Sequence, residues 1–161
     1  MNDPDALLRA VIEQARAIGI PVAKSIRPGV VINTRAKKRF GCCIRRGFVY
    51  TIELSDTLLD ADERLCRQTL AHEVLHTCWG CRDHGARWKA YADRMNSAYG
   101  YGIRRTQDPA LLGIAVKPGT VNHLVVCERC GRRFERTRRS RLTEHPERYR
   151  CGCGGRLKLL Y

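Results

Sequence analysis

Leu7, Leu8, Val11, Ile12, Ala15 and Ile18 recur with the three-to-four-residue step of one helix face. Asp3 ahead of Pro4 suits the start of that helix, because the N–H that proline lacks has no partner in a first turn, and Gly19 and Pro21 stop the run. The pattern then shortens. Residues 30–33, 39–45 and 48–54 read as short strands of an antiparallel meander, with Gly47 turning between the last two and Ser55 or Asp60 placed to cap the next helix. Helical spacing returns in Leu65, Thr69, Leu70, Val74 and Cys78, which predicts a helix from about Asp62 to Trp79 closed by Gly80. Asp83 can cap a companion helix running to about Tyr99. Breakers at Gly100-Tyr101-Gly102, Asp108-Pro109 and Lys117-Pro118-Gly119 then make 106–120 a linker or packing segment. The order of elements predicts an α+β class: a helical domain with a small antiparallel β meander over 1–105, and a β subdomain over 121–161.

The second helix carries the chemistry. His72, Glu73 and His76 form the string HEVLH, and positions four apart on a helix lie about 40° apart in azimuth, so both imidazoles can reach one metal. Glu73 is offset by about 100° from His72, placed to take a proton from water without being a ligand. That is the position of a general base in metal-assisted amide hydrolysis. A third ligand is expected in His84, since Gly80 lets the chain reverse and Gly85 allows a close backbone approach. Three protein ligands with one open position describe a catalytic zinc, whereas a structural zinc has four.

Nine cysteines in 161 residues suit metal ligation and free thiols better than disulfides in a reducing compartment. Cys127-x-x-Cys130 before Gly131, and Cys151-x-Cys153 before Gly154-Gly155, read as two knuckles of one structural four-cysteine zinc site in a segment too small to bury much core. The second knuckle has one intervening residue where two are commoner. Cys78-x-x-Cys81 has knuckle spacing too, but Cys78 falls about 200° round the helix from His76. It is read, with Cys42, Cys43 and Cys66, as an ordinary core thiol.

Charge adds a partner. The chain carries 30 Lys and Arg against 16 Asp and Glu, a net of +14, and residues 121–161 are the most densely basic part. Arg132, Arg133, Arg136, Arg138, Arg139 and Arg141 form a cluster suited to bidentate phosphate contact, so a polyanion such as a nucleic acid is the expected partner. Phe134 and Tyr149 are candidates for base stacking, although aromatics in so small a subdomain are more often its core. No apolar run, Leu111–Val116 included, approaches a membrane span, and the acidic start MNDPDALLRA lacks a signal-peptide pattern. A soluble, intracellular protein with no membrane partner is expected.

HEVLH, the spacer to His84-Gly85-x-x-Trp88-Lys89, and Met95-Asn96 resemble the SprT-like metalloprotease family, which includes proteases of DNA–protein crosslinks. The stretch from Arg39 to Arg46 into Tyr50, Ile52, Leu54 and Ser55 is similar to the strand region before that family's active-site helix. The segment ending Gly154-Gly155-x-Leu157 looks like the zinc ribbon of many members. The resemblance runs from about residue 5 to the C-terminus. It implies a zincin-like, minigluzincin-type core and a zinc metalloendopeptidase with His72, His76 and His84 on the catalytic zinc and Glu73 as base. It also implies recruitment to DNA, single-stranded or distorted, and action on DNA-bound or crosslinked protein substrates. A monomer is expected, cytoplasmic and nucleoid-associated, or nuclear in a eukaryote. Two other readings stay open: a non-proteolytic nucleic-acid-binding zinc protein serving transcription or replication, and a peptidase unconnected with DNA.

Overall fold

In the computed structural model, which describes residues 1–36, 38–107, 110 and 120–161, Asp3 starts helix α1 (Pro4–Ala17) by accepting from the N–H groups of Asp5 and Ala6. Leu7, Leu8, Val11 and Ala15 of its expected apolar face are buried. The chain falls into two compact units, residues 1–115 and 116–161, and each is described by itself.

In the first unit, strands β1 (Val31–Asn33), β2 (Gly41–Arg46) and β3 (Val49–Ser55) form one sheet. β2 and β3 make the expected antiparallel hairpin, turned by Gly47 and Phe48, with Gly47 at φ +61°, which suits the first position of a tight two-residue turn. β1 departs from a meander: it lies parallel to β3 on the edge away from β2, giving the order β1-β3-β2. Glu53 of β3 explains the crossing. It accepts from Asn33 Nδ2 at 2.8 Å and from Arg39 Nη2 at 2.8 Å, tying both ends of the connection to the middle strand. Asn33 Oδ1 turns the chain by accepting from the N–H groups of Arg35 and Ala36.

Helix α2 (Glu63–Leu75) is capped by Asp62, which accepts from Arg64 N–H at 2.8 Å; Ser55 instead caps the 3-10 turn Asp56–Leu58. α2 packs against α1, β2, β3 and helix α3 (Ala86–Tyr99), which is why Cys66, Thr69, Leu70, Ala71, Glu73, Val74 and Leu75 are all buried. It ends four residues before the expected Trp79. Thr77 Oγ1 donates to the carbonyl of Val74 at 2.7 Å, tight i→i−3 bonds follow at His76 and Cys78, and Gly80 at φ +73° turns the chain. α3 then starts at Gly85, with no side-chain cap; Asp83 accepts from Gly85 N–H at 3.2 Å, in the turn before the helix. Past α3, Asn96 holds Ile103 by both its N–H and its carbonyl, at 2.6 and 3.0 Å. Tyr101 and Ile103 are buried in the core, so this stretch packs on α2 and α3.

The second unit has strands β4 (His123–Cys127), β5 (Arg133–Arg136) and β6 (Leu157–Leu159) in the antiparallel order β5-β4-β6, with a one-turn helix α4 (Arg141–Glu144). Val125, Cys127, Cys151 and Leu157 form its core, with Phe134 and Leu142 packed on them. The whole is an α+β protein. Most of the expected 106–120 linker, with the apolar run from Leu111, lies outside the described residues, as do the breakers Asp108-Pro109 and Lys117-Pro118-Gly119.

Candidate metal centres

His72 sits in the last turn of α2, His76 is its C-cap, and His84 lies in the reversal before α3. Their Nε2 atoms form a triangle with sides of 3.3 Å (His72 to His76), 3.2 Å (His76 to His84) and 2.9 Å (His72 to His84). Ligands about 2.0–2.1 Å from a tetrahedral zinc lie about 3.3 Å apart, so the triangle has the size of one face of that tetrahedron. Tautomers point the same way. His72 Nδ1 lies 2.9 Å from the carbonyl of Arg104, and His76 Nδ1 lies 2.7 Å from that of Cys81. A carbonyl only accepts, so each Nδ1 carries the hydrogen and each Nε2 of this pair is left as a bare lone pair. Two such lone pairs 3.3 Å apart repel unless a cation lies between them. Protonation is a poor remedy: burial, with the neighbouring imidazoles, lowers His72 to about 4, and burial lowers His76 and His84 too.

Beneath the triangle lies Trp88 of α3, 2% exposed, its ring centroid 4.7, 5.7 and 4.6 Å from those of His72, His76 and His84. Glu73 is 8% exposed and lies outside the ligand cluster. Burial pushes its carboxyl up to about 7, against the downward pull of a hydrogen bond from the Cys43 backbone and of the Arg39 charge. The helix and β2 meet closely here: a Cβ on Gly41 would stand 2.8 Å from Glu73 Cγ and 2.8 Å from Thr69 Cγ2, so only glycine lets the strand pass. His72, Glu73, His76 and His84 open into one cleft of about 1020 Å³. β2 forms one wall and the edge of its sheet.

The second unit brings Cys127, Cys130, Cys151 and Cys153 together, with their sulfurs all within 4.8 Å of one another. Cys127 to Cys153 is 3.5 Å and Cys130 to Cys151 is 3.6 Å, near the roughly 3.8 Å expected for sulfurs on a tetrahedral zinc. The backbone N–H of Cys130 is the main cause lowering the Cys127 thiol to about 6, which favours the thiolate that a metal requires. The short Cys151-x-Cys153 knuckle closes because Gly155 passes where a Cβ would stand 2.5 Å from Cys127 Sγ. Both clusters therefore fit zinc by donor type and spacing.

Other expected residues are placed as follows. Arg132, Arg133, Arg136, Arg138, Arg139 and Arg141 are all exposed. Phe134 packs on the small core, with the Arg132 guanidinium 5.7 Å over its ring, while Tyr149 stays exposed. Cys78 and Cys81 are buried in the core and belong to neither cluster; Cys78 lies past the end of α2, so it is the turn rather than helix azimuth that directs it. Sequence reasoning missed the carbonyls of Arg104 and Cys81, for which no side-chain signal exists. It also gave no role to Gly41, although a glycine inside a strand pattern is itself a sign of close backbone approach.

The family model described as SprT-like family matches residues 14–108, a span that takes in α2, α3 and all three histidines and stops short of the four-cysteine unit. No curated protein sequence matches the chain. Among the described residues, no helix is long and apolar enough to cross a membrane.

Proposed function

The chain belongs to the SprT-like family, whose model covers more than half of it, and from that premise we propose a zinc-dependent endopeptidase directed to proteins bound or crosslinked to DNA. The observation that supports it most is the triangle of imidazole nitrogens with a buried, non-ligating carboxyl beside it. Zinc held by His72, His76 and His84 would supply a Lewis acid that polarises a carbonyl and acidifies water. Glu73, with a proton affinity near neutrality, takes the proton from the attacking water and returns it to the leaving amine. The carbonyls of Arg104 and Cys81 hold two imidazoles in the tautomer that presents Nε2. β2, an edge strand beside the cleft, offers backbone N–H and C=O groups to an extended substrate and so reads main chain more than side chain.

A reader of backbone is restrained chiefly by where it is sent. In this reading the exposed arginines of the four-cysteine unit bind nucleic acid, and Cys127, Cys130, Cys151 and Cys153 would hold a second zinc that supports the fold of that unit. The test is incubation of zinc-loaded protein with a DNA-binding substrate protein, with and without single-stranded DNA, for wild type and Glu73→Gln. Fragments from the wild type alone, and with DNA alone, are expected. Fragments regardless of DNA would leave a general peptidase. Their absence in every lane would leave a nucleic-acid-binding zinc protein.

A further inference from the structure

Four separate stretches of chain bring cations to the cleft that holds the histidine triangle: Lys38 before β2, Arg45 near its end, Arg82 in the reversal after α2, and Arg105 after α3. All four are exposed, and none has a carboxylate partner among the described residues. Arg39, a fifth, is held by Glu53 at 2.8 Å. Among the described residues, the only acids in the lining are Glu73, buried between α2 and β2, and Asp83, which accepts from Gly85 N–H. Positions 38, 45, 82 and 105 have no common motif in sequence; the fold gathers them round one opening.

We propose that this cleft selects substrate segments carrying aspartate or glutamate on both sides of the bond to be cut. The proposal rests on the peptidase reading and adds a substrate class to it. β2 sets the geometry: an extended chain paired along it lies parallel to the line from Lys38 to Arg45, with alternate side chains leaning into the opening. Arg82 and Arg105 approach from the elements on the histidine side. Cations lining a cleft of low-dielectric walls concentrate an anionic ligand and hold it there. A nucleic acid strand would satisfy the same charges, but it has no use for a β-strand edge that is unpaired among the described residues or for the proposed amide-cleaving centre, so an acidic peptide is the better fit.

The experiment compares three peptides of one length and backbone, with acidic, neutral or lysine residues flanking a single cleavable bond, at low and at physiological salt. Zinc-loaded full-length protein is expected to cleave the acidic peptide about tenfold faster in kcat/KM than the neutral one, and the lysine peptide slowest, with the ratio shrinking as salt rises. A Lys38→Gln/Arg82→Gln/Arg105→Gln variant, neutral at exposed positions, should erase the preference, while Arg138→Gln/Arg139→Gln in the other unit should keep it. An acidic preference that survives the first variant, or vanishes in the second, overturns the proposal. So does an oligonucleotide that blocks cleavage competitively, with the block relieved by the first variant and the peptide ratio unchanged. Failure of the peptidase reading is a separate result: no peptide is then cut, and anisotropy of the same peptides, labelled, decides the preference. Tighter binding of the acidic peptide, lost in the first variant only, supports the proposal, and equal binding of all three ends it.

Discussion

At the scale of single residues, the site depends on one missing atom. A methyl at position 41 would stand 2.8 Å from Glu73 Cγ and 2.9 Å from its Oε1, within van der Waals repulsion, so β2 or the carboxylate must shift. Gly41→Ala adds no atom against the three imidazoles and presses on Glu73, the proposed base, and on Thr69. Zinc content by metal analysis should be unchanged, while the cleavage rate falls by about 10²-fold, the usual consequence of a misplacement near 1 Å. Titration of the metal-free protein tests the electrostatics. His72 is depressed to about 4, and His76 and His84 are depressed as well, so the unfolded chain takes up their protons first and their contribution to stability is lost as pH falls below about 6.5. Glu73 is raised to about 7, so its contribution is full below about 4.5 and is lost as pH rises towards 7. Three histidines oppose one carboxyl. Denaturant midpoints of the chelated protein should therefore rise from pH 4.5 to 6.5, and rise more steeply in Glu73→Gln, where the opposing group is gone.

At the scale of elements, what was legible in the sequence is what local spacing controls. HEVLH places two nitrogens on one helical face by azimuth alone, and Asp3-Pro4 starts α1 where a cap and a donorless residue must. The third histidine was legible through Gly80, which marks where the chain can turn, and Gly85, which allows a close backbone approach. Not legible were the end of α2 at Leu75, where Thr77 and His76 bond inside the turn, and the start of α3 at Gly85, where Asp83 bonds the Gly85 N–H ahead of the helix instead of capping it. The parallel seat of β1 was hidden too: side-chain alternation gives a strand its faces but not its neighbour, and here Glu53 chooses it. The reversal is thus the element on which the metal site most depends. Gly80 holds φ +73° there, and Gly80→Ala should lower unfolding free energy by about 1 to 2 kcal/mol, the strain of an L-residue in that region. The same turn delivers the Cys81 carbonyl and His84, so zinc affinity by competition with a chelator should weaken with it, more than in an Asp3→Ala variant that removes only a distant cap.

At the scale of the molecule, charge and chemistry are divided between the two compact units. The first holds the imidazole triangle and the cleft; the second holds four thiols and six exposed arginines in a run of ten residues. Each unit has its own apolar core, so a change of surface charge in the second leaves the donor set of the first intact. If the arginines are phosphate contacts, each one engaged releases a counterion, and the slope of log affinity against log salt counts them at about 0.7 per contact on a single strand. Arg138→Gln/Arg139→Gln should therefore reduce that slope by roughly 1.4, measured on a single-stranded oligonucleotide. Cleavage of a DNA-bound protein should fall in parallel with binding, and cleavage of a short peptide by the same variant should not. A fall in both would mean that these arginines serve the catalytic unit itself, and an unchanged slope would mean that they are a solvated face with no phosphate to meet.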